Sequence, residues 1–200
     1  MIVSPISTSR VASFVGGDTG SWLVDRTDCL CGEALPPAAR VAVFATQVDL
    51  LELTTSAWVL SGTTSNDRYV VRAEKSALGA KQEGLGRSPS TRAALIPIRK
   101  NAEWWLLAQD ERRHILEEQS NHIKVGMKYL PAIARRLHHC RDMNVSAPFD
   151  FLTWFEYAPE HTNAFDDLLA ALRSSPEWLY VDREVDVRLV RDGGQRSDVA

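Results

Sequence analysis

Residues 121–142 read NHIKVGMKYLPAIARRLHHCRD, and the change of period inside this stretch decides the fold. Upstream of it, Asp110 to Ile123 reads as a helix capped by Asp110. Ile115, Gln119, His122, Ile123 and Gly126 follow the i, i+4, i+7, i+8 rule, which puts His122 on the less charged face. Pro131 stops the helical reading. Beyond it the period becomes two, so Ile133, Arg135, Leu137 and His139 share one strand face. An arginine flanked by apolar residues on a buried face needs an anion or a developing negative charge beside it. A lone histidine on a helix, or a lone arginine in a strand, is more often structural, and neither residue alone carries a function.

Working outward, Ala93 to Arg99 is apolar enough for a buried strand, and Trp104-Trp105-Leu106-Leu107 reads as another strand piece. Phe149, Phe151, Thr153, Phe155 and Tyr157 alternate with Leu152 and Trp154. A helix over about 163–173 presents Phe165, Leu168, Leu169 and Leu172, and Tyr180 to Val190 is the last strand. With the pieces near Trp104 counted together, the order from Ala93 is β-α-β-β-α-β, the ferredoxin-like pattern. The first half is a weaker version. Strands are expected at 11–15, 21–24, 40–46 and 57–61, Tyr69 to Val71 is a short apolar piece, and one helix runs from Arg72 to Glu83, closed by Gly84. The Gly-, Ser- and Pro-rich loop from Gly84 to Thr91 is the expected exposed boundary between halves, and 193–200 reads as a disordered tail.

Two hundred residues suit one domain or two small fused halves. The composition, 44% hydrophobic and 24% charged, is that of an ordinary globular protein. A net charge of −3 argues against non-specific nucleic-acid binding. No apolar run approaches the roughly 20 residues of a membrane span, and the N-terminus lacks the basic start and apolar core of a signal peptide. Three cysteines are an odd count, and Cys29-Leu30-Cys31 has no second pair for a zinc site. Reduced thiols and a cytoplasmic location are expected. No Gly-rich phosphate loop, HExxH or Ser/His/Asp order is present.

KYLPAIARRLHHCRD followed by PFDFLTWFEYAPEH resembles the chlorite dismutase family, in its short, dimeric lineage. RYVVRAEKSAL, GLGRSPSTRAALIPIRKNAEWW and EWLYVDREVDVRLVR are similar to family segments as well, so the likeness covers most of the chain. It implies a ferredoxin-like dimeric α+β barrel over residues 1–192. A reduced N-terminal half would span about 1–90 and a haem-binding half about 91–192. It also implies haem b, with its iron, as cofactor, chlorite and small anions as ligands, and a homodimer. The aromatic-rich strands suit a dimer too, since a small domain exposes much of such a surface.

Five histidines compete for an iron, and a neutral imidazole on a rigid element is the usual axial ligand. His114 lies on the charged part of the helix, His138 and His139 follow Arg135, and His161 is in a polar turn. The position that matches the family's proximal ligand is His122, in SNHIKVG. A ligand histidine usually gives its other N–H to a carboxylate or carbonyl. The family pattern puts a glutamate there, here Glu177, just before the tryptophan taken to open the last strand, and a lysine nearby, here Lys100. Read without the resemblance, both are solvated surface residues. Trp104 and Trp105, opposed if they lie in a strand, line the haem region by resemblance, and Tyr69 matches a tyrosine near a haem propionate.

The related coproheme decarboxylases carry a glutamine where this chain has Arg135, thirteen residues after His122. Their sequence after that position also differs from PFDFLTWFEYAP. The linker at Met143 to Ala147 is longer than in the short lineage. The resemblance therefore implies a chlorite dismutase, turning chlorite into chloride and dioxygen with Arg135 as its catalytic residue. The rival readings are a haem peroxidase or coproheme decarboxylase on the same scaffold, and a non-enzymatic haem- or gas-binding module.

Overall fold

Eight strands close into one antiparallel barrel in the computed structural model, which describes residues 10–48 and 56–193. The strands are β1 (Val11–Gly17), β2 (Trp22–Cys31), β3 (Arg40–Phe44), β4 (Ser56–Thr64), β5 (Arg92–Lys100), β6 (Ala134–His139), β7 (Phe151–Tyr157) and β8 (Val181–Arg191). Around the barrel the order is β1-β3-β2-β8-β5-β7-β6-β4, closed by pairing of β1 with β4. The first four strands thus run β4-β1-β3-β2 and the last four β8-β5-β7-β6, one order used twice. The two sets meet at β2–β8 and at a short β4–β6 contact. The expected disorder at the C-terminal tail falls almost entirely on 194–200, outside the described residues.

The alternation read from the sequence divides the core in two. On β5, Ala93 and Leu95 enter the barrel, where they meet Leu152 and Trp154 of β7 together with Phe14, Trp58 and Val187. The intervening Ala94, Ile96 and Ile98 face outward with Phe151, Phe155 and Tyr157. They are covered by Phe165, Leu168, Leu169 and Leu172 of the 12-residue helix Thr162–Arg173. Both faces of these strands are therefore apolar, and the outward layer is the one that opens into a cavity.

The halves differ in what joins their first two strands. Residues 18–21 alone link β1 to β2, and a Cβ on Gly20 (φ +137°) would lie 2.4 Å from the Val41 carbonyl, so only glycine fits this turn. In the second half residues 101–133 link β5 to β6 and carry several short helices. The first half contributes one helix, α1 (Arg72–Lys81), shorter than expected and ended before Gly84. The 84–91 connection is tied down rather than loose. Gly86 N–H donates to Glu156 Oε2 at 2.6 Å, and Arg87 donates to the Pro131 and Ala132 carbonyls at 2.8 and 2.9 Å.

Three local expectations are corrected. Trp104 and Trp105 lie not in a strand but in α2 (Ala102–Leu106). Asn101 Oδ1 accepts the Trp104 N–H at 3.0 Å, an N-cap that starts a helix where the apolar run suggested a strand. The continuous helix expected from Asp110 to Ile123 is broken into three. After α3 (Gln109–Arg113) comes a π-helix, His114–Gln119; Asn121 then turns left-handed (φ 51°), and α4 (His122–Gly126) follows. The π turn inserts a residue, and asparagine tolerates the left-handed region better than most residues. Glu177 and Trp178 belong to a 3-10 helix, Pro176–Tyr180, one turn ahead of β8 rather than at its start.

Candidate functional site

Beneath the outward face of β5, β6 and β7 lies a cavity of about 1150 Å³, counted out to its mouth. Its walls are mostly apolar, from Ile96, Ile98, Phe151, Phe155, Ile133 and Leu137 across to Leu168, Leu172, Leu116 and Ile123. A few polar groups interrupt them. Six of the seven residues singled out from the sequence as site or cofactor contacts line it: His122, Arg135, Glu177, Lys100, Trp104 and Tyr69.

His122 is the first residue of α4. Its Nδ1 lies 2.6 Å from Glu177 Oε2, so with the proton on Nδ1 the ring donates to the carboxylate and keeps the lone pair on Nε2. The other oxygen of Glu177 accepts from Lys100 Nζ at 2.9 Å, and the same ammonium donates to the Glu177 carbonyl at 3.2 Å. All three groups are brought together from different elements. Ser120 Oγ accepts the Glu177 N–H at 2.9 Å, and Asp150 Oδ2 accepts the Lys100 N–H at 2.7 Å. Glu177 is 4% exposed. Burial alone would raise its pKa, but the hydrogen bonds from His122 and Lys100 and the charge of the Lys100 ammonium lower it. The carboxylate is thus ionised, and it raises the basicity of the imidazole it orients.

Lys100 also sits over two indoles, 4.6 Å from the Trp104 ring and 5.5 Å from that of Trp178. Trp104 is 1% exposed and meets Tyr69 edge-on at 6.1 Å. Tyr69 stands in the left-handed region (φ 62°), a conformation that costs a tyrosine energy. Arg113 holds it there, donating to the Tyr69 carbonyl at 2.7 Å while pairing with Glu74 of α1 at 2.6 Å. The Tyr69 hydroxyl and Trp104 Nε1 are both buried without a partner. Two orphaned donors on one cavity call for acceptors from a ligand. Trp105 does not line the cavity. It stacks on Phe151 at 6.1 Å, under the Arg141 guanidinium at 4.2 Å, and donates to Asp150 at 3.3 Å.

Arg135 enters the cavity from β6, between Ile133 and Leu137, as the period-two reading expects. Burial pushes its pKa down, and no opposing contribution offsets that. Among the described residues no carboxylate lies within ion-pair distance of its guanidinium. A charge kept in such a place without a partner is an anion site in waiting. Gln82, just past the end of α1, donates to the Arg135 carbonyl at 2.7 Å, and Asn66 Oδ1 accepts the Leu137 N–H at 2.8 Å. These two fix the strand that aims Arg135.

The residue types and spacings match a known group of proteins over most of the sequence. A family model described as chlorite dismutase matches residues 38–191. The chain belongs to the chlorite dismutase family. Among solved structures, a dimeric chlorite dismutase from Nitrobacter winogradskyi is 54% identical, with a TM-score of 0.83 over 90% of this chain and 99% of that one. Chlorite dismutase from Candidatus Nitrospira defluvii, solved with imidazole, is 22% identical with a TM-score of 0.62, a likeness of fold alone. A chlorite dismutase from Ideonella dechloratans is 33% identical over 88 residues, which are 44% of this chain and 28% of that protein.

For a chlorite dismutase chain, several residues of the site carried no signal in the sequence. Glu117 accepts the Ile123 and Lys124 N–H groups at 2.7 and 3.3 Å, six and seven positions away rather than at the three of a capping box. Gln82, Ser120 and Arg113 act through carbonyls, hydroxyls and amides distant in sequence, and the ring of Trp178 is positioned by its indole N–H, which donates to Glu184 at 2.8 Å.

Proposed function

We propose that the protein is a haem b-dependent chlorite dismutase, converting chlorite to chloride and dioxygen. One observation carries the reading: an imidazole braced by a buried, ionised carboxylate and a guanidinium without a carboxylate line the same apolar cavity. The donor set fits haem b. His122 Nε2 would bind the iron, the orphaned Tyr69 hydroxyl and Trp104 Nε1 would take polar edges of the macrocycle, and the apolar walls would pack its faces. Haem b, when bound, supplies the iron that exchanges an oxygen atom with chlorite.

The chain's own groups do the rest. Glu177 fixes the imidazole and, through Lys100, keeps its own charge balanced in a dry place. Arg135 attracts chlorite and holds anions released within the cavity. Its guanidinium offers a planar fork of donors and no proton to give up, which suits a reaction with no net proton transfer. Ile133, Leu137 and Phe155 line the same cavity as that fork and make its surroundings apolar. Arg135 also favours this reading over a coproheme decarboxylase, whose family pattern has a glutamine there.

The same proposal takes the chain as one domain of two ferredoxin-like halves, working as a cytoplasmic homodimer. The repeated strand order, β4-β1-β3-β2 and β8-β5-β7-β6, supports the halves. The 54% identity to a dimeric relative supports the dimer. The test is oxygen evolution. Haem-loaded protein given chlorite in an oxygen electrode should release one dioxygen per chlorite. Peroxidase turnover, decarboxylation of coproheme, or haem binding with no oxygen released would each overturn the assignment.

A further inference from the structure

His122 is held from two sides by two different carboxylates. Glu177 holds the ring. The backbone is held by Glu117. α4 is five residues long, too short to be stable alone, and its N-cap, Asn121, makes no side-chain cap hydrogen bond. The first N–H groups of a helix have no intrahelical partners and must find others. In α4 the N–H groups of Ile123 and Lys124, the second and third residues, go to Glu117 Oε2 at 2.7 Å and Oε1 at 3.3 Å. Among the described residues Glu117 forms no salt bridge, so this turn is what its carboxylate binds. A negative charge at that end also suits the helix dipole.

We propose that Glu117 is a positioning residue for His122, replacing the missing cap of α4 and fixing the direction in which the imidazole is presented to the haem site. The inference rests on the reading of His122 as the axial ligand. A ring tied only at Nδ1 can pivot about that one bond. A ring whose backbone is clamped as well cannot, because His122 is the residue at which the clamped turn begins. Glu117 reaches this turn because the π-helix His114–Gln119 and the left-handed Asn121 fold the chain back on itself. Such π turns recur at functional sites. Three neighbours on the same stretch brace other parts of the site. Arg112 donates to the Trp104 and Trp105 carbonyls, Arg113 to that of Tyr69, and Ser120 accepts from Glu177.

The test compares Glu117→Ala and Glu117→Gln with Glu118→Ala in the full chain. Glu118 is the neighbouring carboxylate, paired with His114 on the surface and remote from the site. Three quantities are read: amide exchange at Ile123 and Lys124, the rate of haem loss to an apo-haem acceptor protein, and the rhombicity of the ferric electron paramagnetic resonance signal. Glu117→Ala should speed both the exchange and the haem loss by about fivefold or more, the loss of one helix cap. Its resonance signal should broaden toward rhombic as ring orientations spread. Glu117→Gln, which keeps an acceptor oxygen, should fall between, and Glu118→Ala should match the parent. Faster amide exchange with haem loss and resonance signal at parental values would overturn the positioning role, leaving Glu117 a cap and nothing more. A parent that takes up no haem would overturn the functional reading, and this inference with it.

Discussion

Glu177 Oε2 stands 2.6 Å from His122 Nδ1 while Glu177 Oε1 stands 2.9 Å from Lys100 Nζ, so one buried carboxylate is shared between an imidazole and an ammonium. The ammonium keeps the carboxylate ionised. The carboxylate gives the imidazole anionic character, which stabilises the higher oxidation state of a metal bound at Nε2. Glu177→Ala removes this and leaves Lys100 buried without its partner. The reduction potential of the bound haem should rise by tens of millivolts, and haem should dissociate faster. Spectroelectrochemistry and haem transfer to an acceptor protein measure the two effects. Unchanged values for both would show that the pair does not tune the iron.

Between pH 6.5 and 4 stability also depends on His138 and His139. Both are buried on β6, His138 against Phe14 at 5.3 Å and His139 against Phe151 at 4.9 Å. Burial, aided at His138 by Arg136 and at His139 mainly by Arg68, lowers each pKa from 6.5 to about 4. The folded form therefore binds fewer protons than the unfolded form between those values. Stability is full above pH 6.5 and falls as the pH drops toward 4. Each histidine accounts for a loss on the order of 3 kcal/mol at the low end. Urea midpoints for His138→Gln should depend less steeply on pH over this window than those of the parent. Parallel curves would show that His138 is already charged in the folded protein.

Much of this fold was legible because β5 is apolar throughout and β7 alternates with a period of two. Leu152 and Trp154 were separable from Phe151 and Phe155 by alternation, although Phe149, just ahead of β7, joins the barrel core with Leu152 instead of the face of Phe151. Arg135 was placed correctly for the same reason. The closure of the barrel was not legible, since pairings such as Cys29 with Val185 join residues far apart in sequence. Local chemistry defeated two readings. Asn101 makes a helix of an aromatic run with strand propensity, and a π turn followed by Asn121 breaks a pattern that still satisfied helical spacing. His122 thus lies on the expected side of the chain, but on a separate short helix. Trp105 faces Phe151 and Arg141 instead of the cavity because neighbours on a helix diverge by about 100° rather than opposing as in a strand.

A homodimer is expected in solution. The dimeric relative from Nitrobacter winogradskyi shares 54% identity over 90% of this chain. Leu106 and Leu179 are 86% and 82% exposed, large apolar side chains of the kind that subunit contacts cover. Light scattering coupled to size exclusion should give twice the mass of the 200-residue chain. A monomeric or pentameric mass would refute the dimer.

In the proposed function Arg135 is the deciding residue. Its guanidinium belongs to the cavity that Ile133, Leu137 and Phe155 also line, and among the described residues no carboxylate pairs with it. An anion entering the cavity therefore meets a fixed charge in a medium that screens little. In the proposed reaction chlorite is the anion that would enter, and hypochlorite is the anion that the guanidinium would retain. A charge-assisted contact in such a site is worth about 2–4 kcal/mol, or roughly 30- to 1000-fold in rate. Arg135→Ala should keep haem, because His122 and Glu177 are untouched. It should release dioxygen more slowly and bleach sooner as hypochlorite escapes, and a hypochlorite scavenger should protect it more than the parent. Arg135→Lys keeps a charge but loses the planar fork, and should fall between the two. Chlorite turnover by Arg135→Ala at the parental rate, with no added bleaching, would transfer the role to another group and leave the guanidinium without a function in the cavity it faces.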